Sequence, residues 1–157
     1  MKRLMLVNMA RAIVFLLAAF YAAPSLANDS SGYIVSNDIA IYYAIVPAQI
    51  LRGHDKSHPE ATMHGGVPKG KHERHLMIAL FDDNSAARIE DAEVTATIAE
   101  VGLAGQTKTL EPFTVSGALT YGNYFEMDNN TLYSISVSIK TPKHEKPVQI
   151  KFESKHF

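Results

Sequence analysis

The sequence predicts an all-β fold, an antiparallel β-sandwich of about seven strands that follows a cleavable signal helix. Three observations lead to this prediction. Apolar and polar residues alternate with a period of two in several short runs, polar or Gly/Pro-rich turns separate these runs, and no stretch after residue 27 shows a sustained helical period. Such a pattern is typical of antiparallel sheets that bury one face and expose the other.

Residues 1–27 have the features of an export signal. Lys2, Arg3 and Arg11 are basic, residues 12–20 are apolar, and a small-x-small pattern ends at Ala27. Cleavage is therefore expected after Ala27. The apolar run is shorter than the roughly 20 residues of a membrane span, and no later run approaches that length, so we expect no span in the mature chain.

Composition narrows the class of protein. The chain has no cysteine, so neither a disulfide framework nor a lipid-anchored N-terminus is available, and a bacterial periplasm fits an exported protein of this kind. After cleavage, 12 Lys and Arg stand against 16 Asp and Glu, a formal charge of −4 that argues against a nucleic-acid partner. Residues 28–157 suffice for one domain.

The first two predicted strands cover residues 39–45 and 74–81. The former is rich in β-branched and aromatic side chains and ends before Pro47. In the latter, three aliphatic residues are expected on one face, and the residues between them on the other: Leu76, Ile78 and Leu80 against His75, Met77 and Ala79. The Asp- and Asn-rich residues 82–85 then predict a turn.

Five more strands complete the set. Their predicted bounds are residues 92–100, 106–113, 121–127, 132–140 and 148–153. The segment 49–73 does not fit this scheme, because it carries repeated Gly and Pro and its apolar residues have no regular period. We expect a long loop there, and a loop of that length in a compact domain is usually functional or disordered.

The same loop and the strand after it concentrate histidine. Five of the seven histidines lie between Gly53 and Met77, together with two methionines. Imidazole binds copper, zinc, nickel and iron, and a thioether adds preference for Cu(I). His75 and Met77 project from one face of a strand about 6.5–7 Å apart along the backbone, and His72 lies just before it. The candidate metal ligands are Met63, His64, His72, His75, Met77 and His58.

Simpler interpretations remain open for several of these residues. The His-rich loop is also compatible with a solvated segment that binds no metal, and Met77 with core packing. Met63 differs, because a methionine in a polar Gly/Pro-rich loop has no evident core to join. Glu60 and Glu73 would supply oxygen ligands to a harder ion such as iron(II).

Several segments resemble known families. Residues 64–68, 73–82 and 89–96 resemble the YtkA-like/FixH group of exported immunoglobulin-like domains. Residues 121–127 and 132–137 are similar to the Tyr-Gly-x-x-x-x-Met and Tyr-x-apolar strands of the periplasmic component of ferrous-iron uptake systems. The resemblances imply an immunoglobulin-like sandwich, and the second implies copper binding through His and Met.

This chain departs from the iron-uptake pattern at two places. Thr120 stands where that family has a His before its Tyr-Gly pair, and the strand 74–81 has no carboxylate until Asp82. A metal site would therefore lie closer to His64, His72 and His75. Met127 is the one residue that corresponds directly by motif, with a packing role as its alternative.

The sequence thus favours a periplasmic metal-binding carrier or delivery protein, with copper or iron(II) bound by His and Met. The alternative is a non-catalytic interaction or assembly module of a bacterial envelope complex. We expect no enzyme, because the chain has no helical His-Glu-x-x-His pattern, nucleophile elbow or paired-carboxylate motif. The candidate partners are the metal ion and an envelope permease or oxidase, and homodimerisation is open.

Overall fold

The structure is a computed structural model that describes residues 31–52 and 66–155. It contains eight strands and one short helix. These are β1 (Ser31–Ser36), β2 (Ile39–Pro47), α1 (Ala48–Arg52), β3 (Glu73–Asp82), β4 (Glu93–Glu100), β5 (Gln106–Val115), β6 (Ala118–Glu126), β7 (Leu132–Lys140) and β8 (Val148–Lys155). Within these two ranges, no helix has the length and apolar character that crossing a membrane requires.

The strands form two antiparallel layers that share β5. The hydrogen-bonded order is β1-β2-β3-β6-β5-β4-β7-β8. The first half of β5, Gln106–Leu110, pairs with β4, whereas its second half, Glu111–Val115, pairs with β6. Passing one strand from layer to layer lets two sheets face each other across one core. The predicted all-β antiparallel sandwich is confirmed, with eight strands in place of about seven.

Strand β1 is the one that the sequence pattern did not predict. It pairs only with β2 along its length, and its Tyr33 and Val35 side chains are 52% and 45% exposed. An edge strand of this kind lacks the inward apolar row by which strands are recognised. The β1–β2 turn places Asn37 and Asp38 at φ of 49° and 59°, which is the geometry of a tight hairpin turn and is favoured by these residue types.

Helix α1 occupies the first residues of the segment predicted as a long loop. The signal helix and residues 53–65 lie outside the described residues, so the division into residues 1–27 and 28–157 stays a prediction. Ala48 and Leu51 of α1 are buried, and they form a small apolar cluster with Tyr124. The helix therefore covers part of the outer face of the first layer.

The core lies between the two layers, and the alternation of the sequence explains it. Leu76, Ile78 and Leu80 of β3 are fully buried, as predicted. Each apolar side chain that is buried in this way contributes about 1.5–3 kcal/mol relative to exposure. The other large side chains that are fully buried are Ile39, Ile41, Ile45, Leu110, Tyr121, Phe125, Met127, Ile135 and Ile139.

At the end of β3, the predicted turn at residues 82–85 is organised by one carboxylate. Asp82 Oδ1 accepts hydrogen bonds from Ser85 N (3.0 Å), Ser85 Oγ (2.9 Å) and Asn84 N (3.2 Å), and Asp82 Oδ2 accepts one from Lys143 Nζ at 2.7 Å. The lysine contact, with the bonds from Ser85, holds the pKa of Asp82 well below its usual range. The ionised carboxylate thus ties the β3–β4 turn to the β7–β8 loop.

We expect Asp82→Asn to change how stability depends on pH. Because folding lowers the pKa of Asp82, its contribution is complete above the unfolded pKa and is lost as pH falls through the folded pKa. The melting temperature of Asp82→Asn should lie below that of the wild type at pH 7, and the difference should shrink from about pH 5 downward. Asp83→Asn is the control, because Asp83 lies in the same turn and accepts a longer contact, 3.3 Å, from the Tyr33 hydroxyl of β1. A constant difference between pH 7 and pH 2 would contradict this prediction.

Candidate metal centre

Strand β3 carries His75 and Met77 on its outer face, which confirms the predicted alternation with Leu76 and Ile78. The outer position does not make His75 accessible. Its side chain is 0% exposed, whereas Met77 is half-buried. His75 is therefore a buried polar group on the side of the sheet away from the main core.

Aromatic rings enclose the His75 imidazole. Tyr124 lies directly opposite in the β3–β6 register and stacks on it, with ring centroids 4.5 Å apart and an interplanar angle of 27°. The Phe113 ring from β5 is tilted against it at 5.3 Å. The absence of a side chain at Gly122 leaves room beside it, since a Cβ there would lie 2.7 Å from His75 Nε2.

Helix α1 and the segment before β3 cover this aromatic cluster. Ala48 and Leu51 pack on Tyr124, with Val67 at the edge of the same contact. Gln49 Nε2 donates to the carbonyl of Lys71 at 2.6 Å, and Arg52 Nη1 donates to the carbonyl of Lys69 at 3.1 Å. The residues that flank segment 53–65 on both sides are thus held together beside the start of β3.

Met77 borders a groove on the same outer face. It lies opposite Gly122 in the β3–β6 register, so His75 and Met77 border the same glycine. The groove has a volume of about 520 Å³, and its lining is mostly aromatic and apolar. The lining residues are Gly32, Tyr33, Tyr42, Tyr43, Ala44, Met77, Ala79, Val115 and Thr120. Thr120, the residue before the Tyr-Gly pair of β6, therefore faces this groove.

His72 has a different environment. The Met127 amide donates to the His72 carbonyl at 2.9 Å, which extends the β3–β6 ladder by one residue. By the alternation of the strand, His72 therefore lies on the core face, whereas His75 lies on the outer face. Its Nδ1 lies 2.8 Å from Asp128 Oδ1. The pair lies where the chain leaves β6.

The structure brings two of the six candidate ligands to one face. His75 and Met77 are neighbours on β3, whereas His72 follows the opposite face and pairs with Asp128. Met63, His64 and His58 lie outside the described residues. In residues 31–52 and 66–155, no three His, Cys, Asp or Glu side chains converge as a metal-binding group, so neither His72 nor His75 belongs to such a group there.

Two other residues named from the sequence have structural positions that bear on ligation. Met127 is 0% exposed within the main core, which fits the packing alternative. Glu73 begins β3 and lies directly opposite Glu126 of β6. Like charges in directly opposed positions destabilise a sheet. The two carboxylates also add negative potential at the end of β3 that follows His72.

Three residues that shape the candidate centre had no ligand signal in the sequence. Gly122 provides space, Tyr124 provides the stacking ring, and Asp128 contacts His72. Their importance depends on the β3–β6 register, which joins segments about fifty residues apart in the sequence. A strand pattern predicts which face a residue occupies, but not which residue lies opposite.

No protein-family model and no curated protein sequence matches this chain. Solved structures do share its fold. A DUF4426 family protein from Pseudomonas aeruginosa has a TM-score of 0.62 at 15% identity, over 82% of this chain and 95% of that one. A copper-bound variant of FetP from uropathogenic Escherichia coli has a TM-score of 0.59 at 16% identity, over 81% and 95%.

The copper-reconstituted P19 protein from Campylobacter jejuni is a third neighbour. Its TM-score is 0.55 at 11% identity, over 80% of this chain and 92% of P19. The chain has the fold of these proteins. At these sequence identities, the similarity shows a shared fold and does not show a shared function. None of the three is described as YtkA-like or FixH-like, so that resemblance stays a prediction.

Proposed function

We propose that this protein is an exported periplasmic carrier that binds copper through histidine and methionine side chains. The observation that carries the proposal is the pair His75 and Met77, side by side on the outer face of β3, in a fold shared with copper-bound FetP and copper-reconstituted P19. A further FetP structure comes from protein expressed in the E. coli periplasm, which fits the predicted export.

The donor chemistry of these two residues suits copper. An imidazole and a thioether together favour Cu(I), and the imidazole also binds Cu(II). Two ligands do not complete a site, and the sequence places Met63, His64 and His58 in segment 53–65, whose flanking residues are held beside β3. We assign these three residues as the complementary ligands. His72 follows the opposite face of β3, so we assign it as an entry ligand for the ion rather than as a member of the same set. Copper is the ion named for the FetP and P19 structures that share this fold, so we favour copper over iron(II).

A carrier role follows from where such a site would lie. Half-buried Met77 and the ligands assigned to the segment beside the sheet would allow a partner to substitute for one ligand at a time, without unfolding the core. An envelope permease or oxidase is the class of partner that would take the ion. The carrier proposal needs no catalytic group.

Titration of the mature protein with Cu(I), Cu(II), Zn(II) and Fe(II) tests this proposal. We expect copper to bind most tightly and the double variant His64→Ala/His75→Ala to lose at least about tenfold in copper affinity, because two ligands are removed. His144→Ala is the matched control, since His144 lies in the β7–β8 loop and contacts Asn37 O at 2.9 Å, at the other end of β2. Unchanged affinity in the double variant would refute the assigned ligands.

The same titration should depend on pH. A histidine must be neutral to ligate, so protons compete with copper and the affinity should fall as pH decreases from about 7.5 toward 5. A pH-independent affinity would indicate ligation by thioethers alone. If no metal binds at any pH, co-purification of a stable partner from metal-starved cells would favour the interaction-module alternative.

A further inference from the structure

The pair His72 and Asp128 has a feature that the ligand assignment does not use. His72 Nδ1 lies 2.8 Å from Asp128 Oδ1 and is shielded from solvent, although 36% of the His72 side chain is exposed. The oxygen lies off the N–H axis of the ring, so the contact is a close electrostatic one rather than an aligned hydrogen bond. The exposed edge of the imidazole is therefore the one that carries Nε2.

Both partners are held by contacts of their own backbone. The His72 carbonyl accepts the Met127 amide at 2.9 Å, which fixes the two segments in register. The Asp128 amide donates to the hydroxyl of Tyr133 at 2.8 Å, and Tyr133 is buried in the main core. The backbone contacts of both residues therefore fix the position of the pair at the end of the sheet.

The charge of Asp128 decides which ring nitrogen carries the proton. A carboxylate oxygen at 2.8 Å repels a nitrogen lone pair and attracts an N–H group, and water cannot reach Nδ1 to offset this preference. A neutral His72 therefore carries its proton on Nδ1. Its lone pair then lies on Nε2, at the exposed edge.

We propose that Asp128 is a positioning residue that holds His72 in the Nδ1–H tautomer, so that Nε2 presents a lone pair to copper at the protein surface. This inference rests on the proposed copper-binding function. Histidines that bind metals commonly place a carboxylate on the ring nitrogen away from the ion, which fixes the tautomer and raises ligand basicity. His72 is therefore the ligand that an ion arriving from solvent meets first, since His75 is enclosed by aromatic rings.

The tautomer can be measured without metal. Long-range ¹H–¹⁵N spectra of the metal-free mature protein, at a pH where imidazoles are neutral, distinguish Nδ1–H from Nε2–H, and His72→Ala assigns the signal. We expect Nδ1–H in the wild type and a shift toward Nε2–H in Asp128→Asn. Glu126→Gln removes the same charge from the outer face two residues away and should leave the tautomer unchanged. A wild-type His72 in the Nε2–H form would overturn the inference.

Copper titration of the same variants completes the test. We expect Asp128→Asn to weaken copper binding about tenfold, and to have no further effect in the His72→Ala background. Normal copper affinity in Asp128→Asn, despite a changed tautomer, would overturn this inference alone. A wild-type protein that shows the Nδ1–H tautomer but binds no copper would instead overturn the proposed function, and with it the ligand role of His72.

Discussion

Phe125→Ala is expected to lower the free energy of unfolding by about 3–5 kcal/mol. Phe125 is 0% exposed in β6, and it lies opposite Arg74 in the β3–β6 register within the main core. Removing the ring would leave a cavity that the two layers cannot close without moving strands, because core side chains are packed at crystal-like density. The loss would be a large part of the roughly 5–15 kcal/mol that stabilises a domain.

Urea unfolding followed by circular dichroism would measure this loss, and Phe152→Ala provides the comparison. Phe152 is also aromatic, but it is half-buried at the edge of the core and stacks on Tyr43 with ring centroids 3.9 Å apart. Its replacement should cost about 1–2 kcal/mol, because less apolar surface leaves water on folding. Equal losses for the two variants would show that the core is not centred on β3 and β6.

The strands were predictable where alternation is strict and one face is buried. Strand β7, Leu132–Lys140, has the predicted bounds, because Ile135, Val137 and Ile139 enter the core and serines occupy the other face. Strand β1 escaped prediction because an exposed edge strand has no such row. Helix α1 is too short to show a helical period, and it is held by contacts to Tyr124 that the sequence does not indicate.

The candidate centre was predictable to the same extent and for the same reason. Alternation placed His75 and Met77 on one face, and the structure agrees. It could not predict that His75 is buried, because the covering residues come from α1 and β6. Alternation also could not predict the partner of His72, because the β3–β6 register brings Asp128 to it from the end of β6.

The register also explains why a glycine is needed beside the candidate ligands. Gly122 faces Met77 in β3 and Glu111 in β5, so it lies in the middle of the first layer with a neighbour on each side. On the outer face, the His75 ring fills the space that a side chain at this position would take. The fold and the candidate centre thus depend on the same residue.

Gly122→Ala is therefore expected to destabilise the domain by about 1–3 kcal/mol and to weaken copper binding. A Cβ at this position would lie 2.7 Å from His75 Nε2, 2.8 Å from Phe113 Cε1 and 3.0 Å from the Leu76 carbonyl oxygen. The rings can rotate away, but the carbonyl belongs to β3 and cannot move without lengthening the β3–β6 ladder. Displacing the imidazole would also move the ring that we assign as a copper ligand.

Urea unfolding and copper titration of Gly122→Ala, His75→Ala and the double variant separate the two effects. If the imidazole is the main obstacle, Gly122→Ala should cost less in the His75→Ala background, with an interaction energy of about 0.5–3 kcal/mol. Copper affinity should fall in both single variants and no further in the double variant, since each acts on the same ligand. Additive losses of stability would assign the clash to Phe113 and the Leu76 carbonyl. Normal copper affinity in Gly122→Ala would contradict ligation by His75.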